Sequence, residues 1–427
     1  MNARRQVASG EGRSLTLSAL AFFFVMTSYY IIRPVRDQLS GAVGSAGLPG
    51  FYAITLVVML LLTPVFGWVV SRFARRRVLV VSYVFFAACL AAFVPAFVHQ
   101  DQIGARVLGN VFFVWVSVFN LFVVSLFWSF MADIYDSGQA RRLFSLIALG
   151  GMGGALFGPT LTSALVASIG VAPLLVVSAF VLLLALVLLL VLARDDEASG
   201  AHASEQNAIG GSLLEGVKSA WRKPFLRNMA LLMLLSDGIA TMAYALMADY
   251  TQTHYPMKEA RTAFYAHLDL AINVLGAGLQ LTLTPYILRR FGAGWGLVLP
   301  SVVNFILLGM VAMFGTPDLA MLGFSVSLLT IVQISTRGLT YGMTKPASDA
   351  LYTRMPREAR YKGKNFIETT VWRFGDMVIT SGLQILRGFG VTIAGLGLIC
   401  AALSGLATVV AHRASRAPDL EPEDDLS

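Results

Sequence analysis

Long apolar runs separated by short polar segments pattern this chain. Twelve runs are long enough to cross a bilayer, which takes about 20 mostly apolar residues. They are 14–34, 50–71, 77–99, 107–132, 143–169, 171–193, 226–250, 264–288, 295–315, 318–340, 366–387 and 390–411. The runs are continuous and show no strict alternation, so they predict helices and exclude an outer-membrane barrel. The longest polar interruption splits them six and six. The predicted organisation is a six-helix bundle over 1–193, a linker over 194–225, a second six-helix bundle over 226–412 and an acidic tail over 413–427. Met1–Arg13 is polar and the run after it has full span length, so a cleavable signal peptide is not expected.

Composition agrees with this pattern and narrows the class. The 427 residues are 56% apolar and 13% charged, with a mean hydropathy of +0.71. Soluble domains carry about 25% charged residues. A water-soluble enzyme and a disordered chain are therefore excluded. The two cysteines, Cys89 and Cys400, sit in apolar runs and read as small buried hydrophobes.

The net charge of +8 sets topology. With both termini in the cytoplasm, 24 of the 32 basic residues fall in inner segments and six in outer ones, while Arg337 and Arg373 lie inside spans. That bias is the positive-inside pattern. It accounts for the basic balance without a nucleic-acid partner, because the charge is spread over many loops. The expected setting is a cytoplasmic (inner) membrane, crossed many times.

The two halves echo one another. Arg72-Phe73-Ala74 follows the second span and Arg290-Phe291-Gly292 the eighth. Asp133 with Arg141 and Arg142 follows the fourth span, and Asp349 with Lys362 and Lys364 follows the tenth. Such parallel repeats are built into two-bundle transporters, with the solute site between bundles. The segment Gly67–Arg77 also resembles the loop signature of the major facilitator superfamily, through Gly67, Arg72, Arg75 and Arg76; Ser71 and Ala74 depart from it. The fold class expected is an all-α polytopic membrane protein with twelve helices in two major-facilitator-like bundles.

Charges inside spans are few and costly, about 2.5–3.5 kcal/mol each at a helix centre. Arg33, Arg36 and Asp37 share one helix face by their i,i+3 and i,i+4 spacing, beside Tyr29, Tyr30 and a Pro34 expected to kink or open the helix. Two guanidiniums against one carboxylate predict a net positive site, suited to phosphate or carboxylate. Span seven carries Asp237 and Asp249, each a candidate counter-ion or proton site. The stretch from Arg337 onward adds Lys345, Lys362, Lys364, Glu368, Arg373 and Asp376, with Glu368, Arg373 and Asp376 expected on one charged face and the tenth helix expected to end before Pro346. His254 and His267 lack further ligands at metal spacing, so neither a metal nor another cofactor is implied. Gly150-Gly151-Met152-Gly153-Gly154 lies in an apolar run and predicts close helix approach, not a phosphate loop.

At these same residues the sequence resembles the ATP/ADP translocases of plastids and intracellular bacteria. The resemblance runs through Tyr29–Leu39, through Phe127-Trp128-Ser129-Phe130 with Arg141–Phe144 and the glycine run, through Lys362-Gly363-Lys364 with Glu368, and through Arg373-Phe374-Gly375 with Asp376. Asp249 is the nearest match to a family carboxylate. The chain departs from the pattern at Pro34, Arg36 and Asp376 and lacks an acid in span four. It is thus similar to a diverged bacterial member. The resemblance implies exchange of nucleotides or other phosphorylated solutes.

The expectation is a non-enzymatic, monomeric, alternating-access transporter of an anionic small molecule, embedded in lipid. Its site would comprise Tyr30, Arg33, Arg36, Asp37, Asp249, Arg337, Lys362, Lys364, Glu368, Arg373 and Asp376. The carboxylates would hold the cations when the site is empty. The alternatives are a proton-coupled major facilitator carrier of a drug or small metabolite, and a non-transporting membrane scaffold or sensor.

Overall fold

Each of the twelve expected spans contains helix, yet not every span is one uninterrupted helix. The computed structural model describes residues 9–73, 75–199, 223–321, 324–356, 363–364 and 366–420. The first six helices are α1 (Ser9–Val43), α2 (Leu48–Arg72), α3 (Arg75–Val98), α4 (Ala105–Ile134), α5 (Ser137–Ile169) and α6 (Val171–Ser199). They follow the first six apolar runs, extended by a turn or two at several ends. α5 starts with a capping box, in which Asp136 accepts from the backbone N–H groups of Gly138 and Gln139. Gly170, with φ +80°, makes the one-residue connection to α6. α1 is not broken at Pro34. The missing N–H removes one bond from a helix of 35 residues, and the flanking turns hold it.

The later spans are α7 (Pro224–His254), α8 (Lys258–Leu281), α9 (Leu283–Phe291) and α10 (Ala293–Phe314). Then comes a hairpin of β1 (Asp318–Met321) and β2 (Phe324–Ser327), paired antiparallel with Asp318 opposite Ser327. After it follow α11 (Leu328–Leu339), a π-turn over Thr340–Thr344 and α12 (Lys345–Tyr352). A second π-turn over Ile367–Val371 leads into α13 (Trp372–Gly388), and α14 (Ile393–Ser415) closes the series. Among the described residues nine helices are long and apolar enough to cross a bilayer, or ten when α8 and α9, bent by 41°, count as one.

The tenth and eleventh runs differ from expectation. Asp318–Met321 and Phe324–Ser327 pair as the hairpin, and Ser327 caps α11 by accepting from the N–H of Thr330. The helix does not stop before Pro346 either. Pro346 falls in the first turn of α12, where its missing N–H is an orphan in any case.

Two compact units are formed. One comprises Met1–Leu39, Val57–Ala208 and Tyr255–Leu270; the other comprises Ser40–Leu56, Ile209–His254 and Ala271–Ser427. The first is built around aromatic side chains, with Phe22 stacked on Phe127 at 4.6 Å and Phe112 on Trp115 at 5.7 Å. The second centres on Phe225, Leu297, Ala347, Tyr352 and Ala411, and within it α10 packs along α14.

The glycine run does what the sequence anticipates. Gly150, Gly154 and Gly158 lie a turn apart on α5. A Cβ at each would strike the backbone of α1, at the carbonyl oxygens of Ala19, Phe23 and Thr27 respectively. Gly154→Val is expected to cost about 1–3 kcal/mol through overpacking, seen as a lower melting temperature in detergent. Gly67→Ala, where nothing lies within 4 Å, is the control that leaves it unchanged.

Candidate functional site

Four groups of charged side chains gather the candidate residues, one in the first unit and three in the second. In the first unit the α1 face forms as its spacing predicts. Arg36 turns both Nε and Nη2 onto one oxygen of Asp37, at 2.8 and 2.6 Å. Arg33 reaches Asp37 at 4.0 Å and donates to the Tyr30 hydroxyl at 3.5 Å. The Arg36 guanidinium lies over the Phe113 ring at 4.7 Å, an arrangement favoured by the ring quadrupole.

The sequence reading missed one member of this group. Asp269 of α8 pairs with Arg33 at 3.5 Å. It is 4% exposed, comparable to Asp37 at 3%. The group therefore holds two guanidiniums and two carboxylates, and the expected positive excess is cancelled. Asp269 lies inside the eighth apolar run, so the cost of charge in a span was a signal sufficient to find it.

The most buried group of the second unit joins three helices. Arg337 of α11 donates to Asp237 of α7 at 3.1 Å. Asp376 of α13 accepts from the Thr241 hydroxyl at 2.6 Å and pairs with Arg373 at 3.8 Å. Asp376 also lies near Asp237 in this group. Asp237, Arg337 and Asp376 are each less than a tenth exposed. Two glycines let α7 and α13 approach, Gly238 facing Ile379 and Gly375 facing Leu234. Both π-turns flank this group, one starting three residues after Arg337 and one ending two before Arg373. π-bulges inside helices recur at functional sites.

Glu368 does not join Arg373 and Asp376 on one face. It lies in the π-turn, five residues before Arg373, and so falls outside the i+3 and i+4 spacing that puts side chains on one helical face. It pairs instead with Lys345 and, at 4.0 Å, with Lys364. Asp349 completes this ring, at 2.8 Å from Lys364 and 3.5 Å from Lys345. The ring is more open than the group around Arg337, its side chains being 30–45% exposed. Lys364 also lies over the Tyr352 ring at 5.5 Å. Burial and the nearby Glu368 and Asp349 carboxylates push the Tyr352 phenol upward, so it stays protonated beside them. Lys362 lies outside the described residues.

Asp249 stands apart from the other candidates. Its partner is Arg387 of α13, at 2.5 Å, and it accepts from the Ser45 N–H at 2.7 Å. Arg387 and Gln384 both bond Ser45, which ties α7 and α13 to the turn between α1 and α2. Gly44, at φ +72°, permits that turn, and a Cβ there would crowd Asp249 and Gln252.

Similarity to other proteins follows this architecture. Residues 15–380 match the family model of the Major Facilitator Superfamily. No curated protein matches the chain. Among solved structures, a bacterial homologue of the iron transporter ferroportin in its inward-facing state is 17% identical, with a TM-score of 0.64, over 96% of this chain and 100% of that one. The nucleoside transporter NupG is 13% identical, with a TM-score of 0.65, over 94% and 99% of the two chains. A bacterial metal transporter is 16% identical, with a TM-score of 0.60, over 96% and 100%. At such identities these three share the fold alone. A family match spanning most of the sequence, on a helical membrane architecture, establishes that the chain belongs to the Major Facilitator Superfamily.

Proposed function

We propose that this transporter moves a solute carrying an anionic group, a nucleotide or another phosphorylated metabolite, by exchange across the membrane. The observation that carries the reading is the sharing of Asp37 between Arg33 and Arg36 on α1. A guanidinium pair held by an internal carboxylate keeps its bidentate geometry for a phosphate or carboxylate that displaces it. In the second unit Arg373 pairs with Asp376 and Arg387 with Asp249, each a single arginine held by a carboxylate. Leaving these cations without a counter-ion in the bilayer is costly. That cost disfavours reorientation of a carrier that has released its solute before the displaced carboxylates return, and so favours exchange. The resemblance to ATP/ADP translocases at Arg33 and Asp37, with Arg36 standing where the family has a lysine, points to the same solute class. The reading places both termini in the cytoplasm, the protein in a bacterial inner membrane as a monomer, and the six-helix bundles at 1–193 and 226–412.

The test is uptake into proteoliposomes preloaded with nucleotides, sugar phosphates or organic acids. Labelled solute is expected to enter only vesicles that hold an exchangeable anion. Uptake that is indifferent to the internal load overturns exchange. A second reading, proton-coupled transport, is favoured by one observation, the approach of Asp376 to Asp237 at Arg337. Two carboxylates close together readily share a proton. In that case an acidic exterior drives uptake into empty vesicles.

A further inference from the structure

One buried polar group near Arg337 has no partner that explains it. Gln333 of α11 is 3% exposed, and among the described residues its amide oxygen meets no hydrogen-bond donor. A buried acceptor left unmet is rare in a folded protein and calls for a reason. Leucine or methionine would fill the same place on a bilayer-embedded helix without that penalty. Gln333 stands four residues before Arg337, so the two share a face of α11 with their Cβ atoms about 5–6 Å apart. Thr336, between them, spends its hydroxyl on the backbone carbonyl of Val332 and does not satisfy the amide. The helix gives way to a π-turn just past Arg337, at Thr340.

We propose that Gln333 and Arg337 form a two-point subsite. The anionic group of the solute takes Arg337 in place of Asp237. A hydroxyl or amino group of the same solute, about one helical turn away, donates to the Gln333 amide oxygen. The subsite deepens the anion-transport reading and rests on it. It adds a requirement that an arginine alone does not impose: the anion carries a hydrogen-bond donor set apart from its charge, because the two side chains leave the same helix face one turn apart. Simple inorganic anions and plain carboxylates lack that second point. Polyhydroxylated phosphates and nucleotides have it.

The experiment uses the full chain in proteoliposomes and matched solute pairs. Glycerol phosphate is compared with propyl phosphate, and AMP with its dideoxy analogue, as competitors of whichever labelled anion is exchanged. Wild type is expected to prefer the hydroxylated member by roughly tenfold, the scale of one buried hydrogen bond. Gln333→Leu is expected to remove that preference by weakening the hydroxylated member alone. The same substitution is expected to raise the melting temperature of the solute-free protein, because the unmet acceptor is gone. A merely structural glutamine would show the reverse, with lower stability and equal losses for both members. No hydroxyl preference in wild type, or a preference that survives Gln333→Leu, overturns the subsite while leaving anion exchange intact. Should the leucine variant fail to fold, Gln333→Met and the wild-type pairs decide the point. Absence of any anion flux overturns the function proposed above, and the subsite falls with it.

Discussion

Arg337→Ala will destabilise the protein by about 3–5 kcal/mol, the usual cost of removing one partner from a buried ion pair. The guanidinium and the Asp237 carboxylate are 3.1 Å apart, with side chains only 11% and 8% exposed. Alanine leaves Asp237 without its cation and beside a second carboxylate, Asp376. The fall is to be read as a lower melting temperature in detergent and a lower yield of monodisperse protein. The double variant Arg337→Met with Asp237→Leu is expected to recover most of the stability, since apolar groups of similar volume commonly replace buried pairs at little cost. It should nevertheless transport poorly. Recovery of both stability and transport would show that the pair serves folding alone. A loss in the double variant equal to the sum of the two single losses would show that the two side chains are not energetically coupled.

Arg36→Gln separates function from stability in the opposite way. Asp37 keeps Arg33 as a partner at 4.0 Å when Arg36 is lost, so the fold should hold. The solute loses a charge-assisted fork worth about 1.5–3 kcal/mol. Exchange is expected to weaken roughly 10- to 100-fold, mainly through the concentration dependence, with the melting temperature little changed. Arg36→Lys is expected to rescue weakly, because an ammonium cannot lie flat on Phe113 while presenting two donors along one edge. Full activity in the lysine variant would mean that only the charge matters. An unaffected glutamine variant would remove α1 from the solute path.

How far the sequence leads can be judged residue by residue. The Arg33, Arg36 and Asp37 face was legible because helical spacing alone places these side chains together. The close approach at Gly150 and Gly154 was legible because small residues in an apolar helix have few other uses, and the structure adds Gly158 to it. The pairing of Asp318–Met321 with Phe324–Ser327 was not, since that apolar run has the composition of a span. The separation of Glu368 from Arg373 follows from their five-residue spacing, which is neither i+3 nor i+4; the pairing of Glu368 with Lys345, 23 residues away, was not legible. Asp269 lay within reach of the reasoning, and its partner did not.

By itself the sequence determined that the chain is a helical membrane protein, where most of its helices run, and which charges are expensive enough to need a reason. Hydrophobic length and local periodicity are properties of neighbouring residues, and they survive without a fold. Only the tertiary structure decided the pairings: Asp269 with Arg33, Asp237 with Arg337, Arg387 with Asp249. Asp237 and Arg337 are separated by 100 residues and Arg387 and Asp249 by more. No local rule links residues so far apart. Helix packing brings them together, and in the low-dielectric interior of a bilayer the partner sets the meaning of each charge. The same packing turns Gln333 from an ordinary polar residue into an unmet acceptor one turn from an arginine.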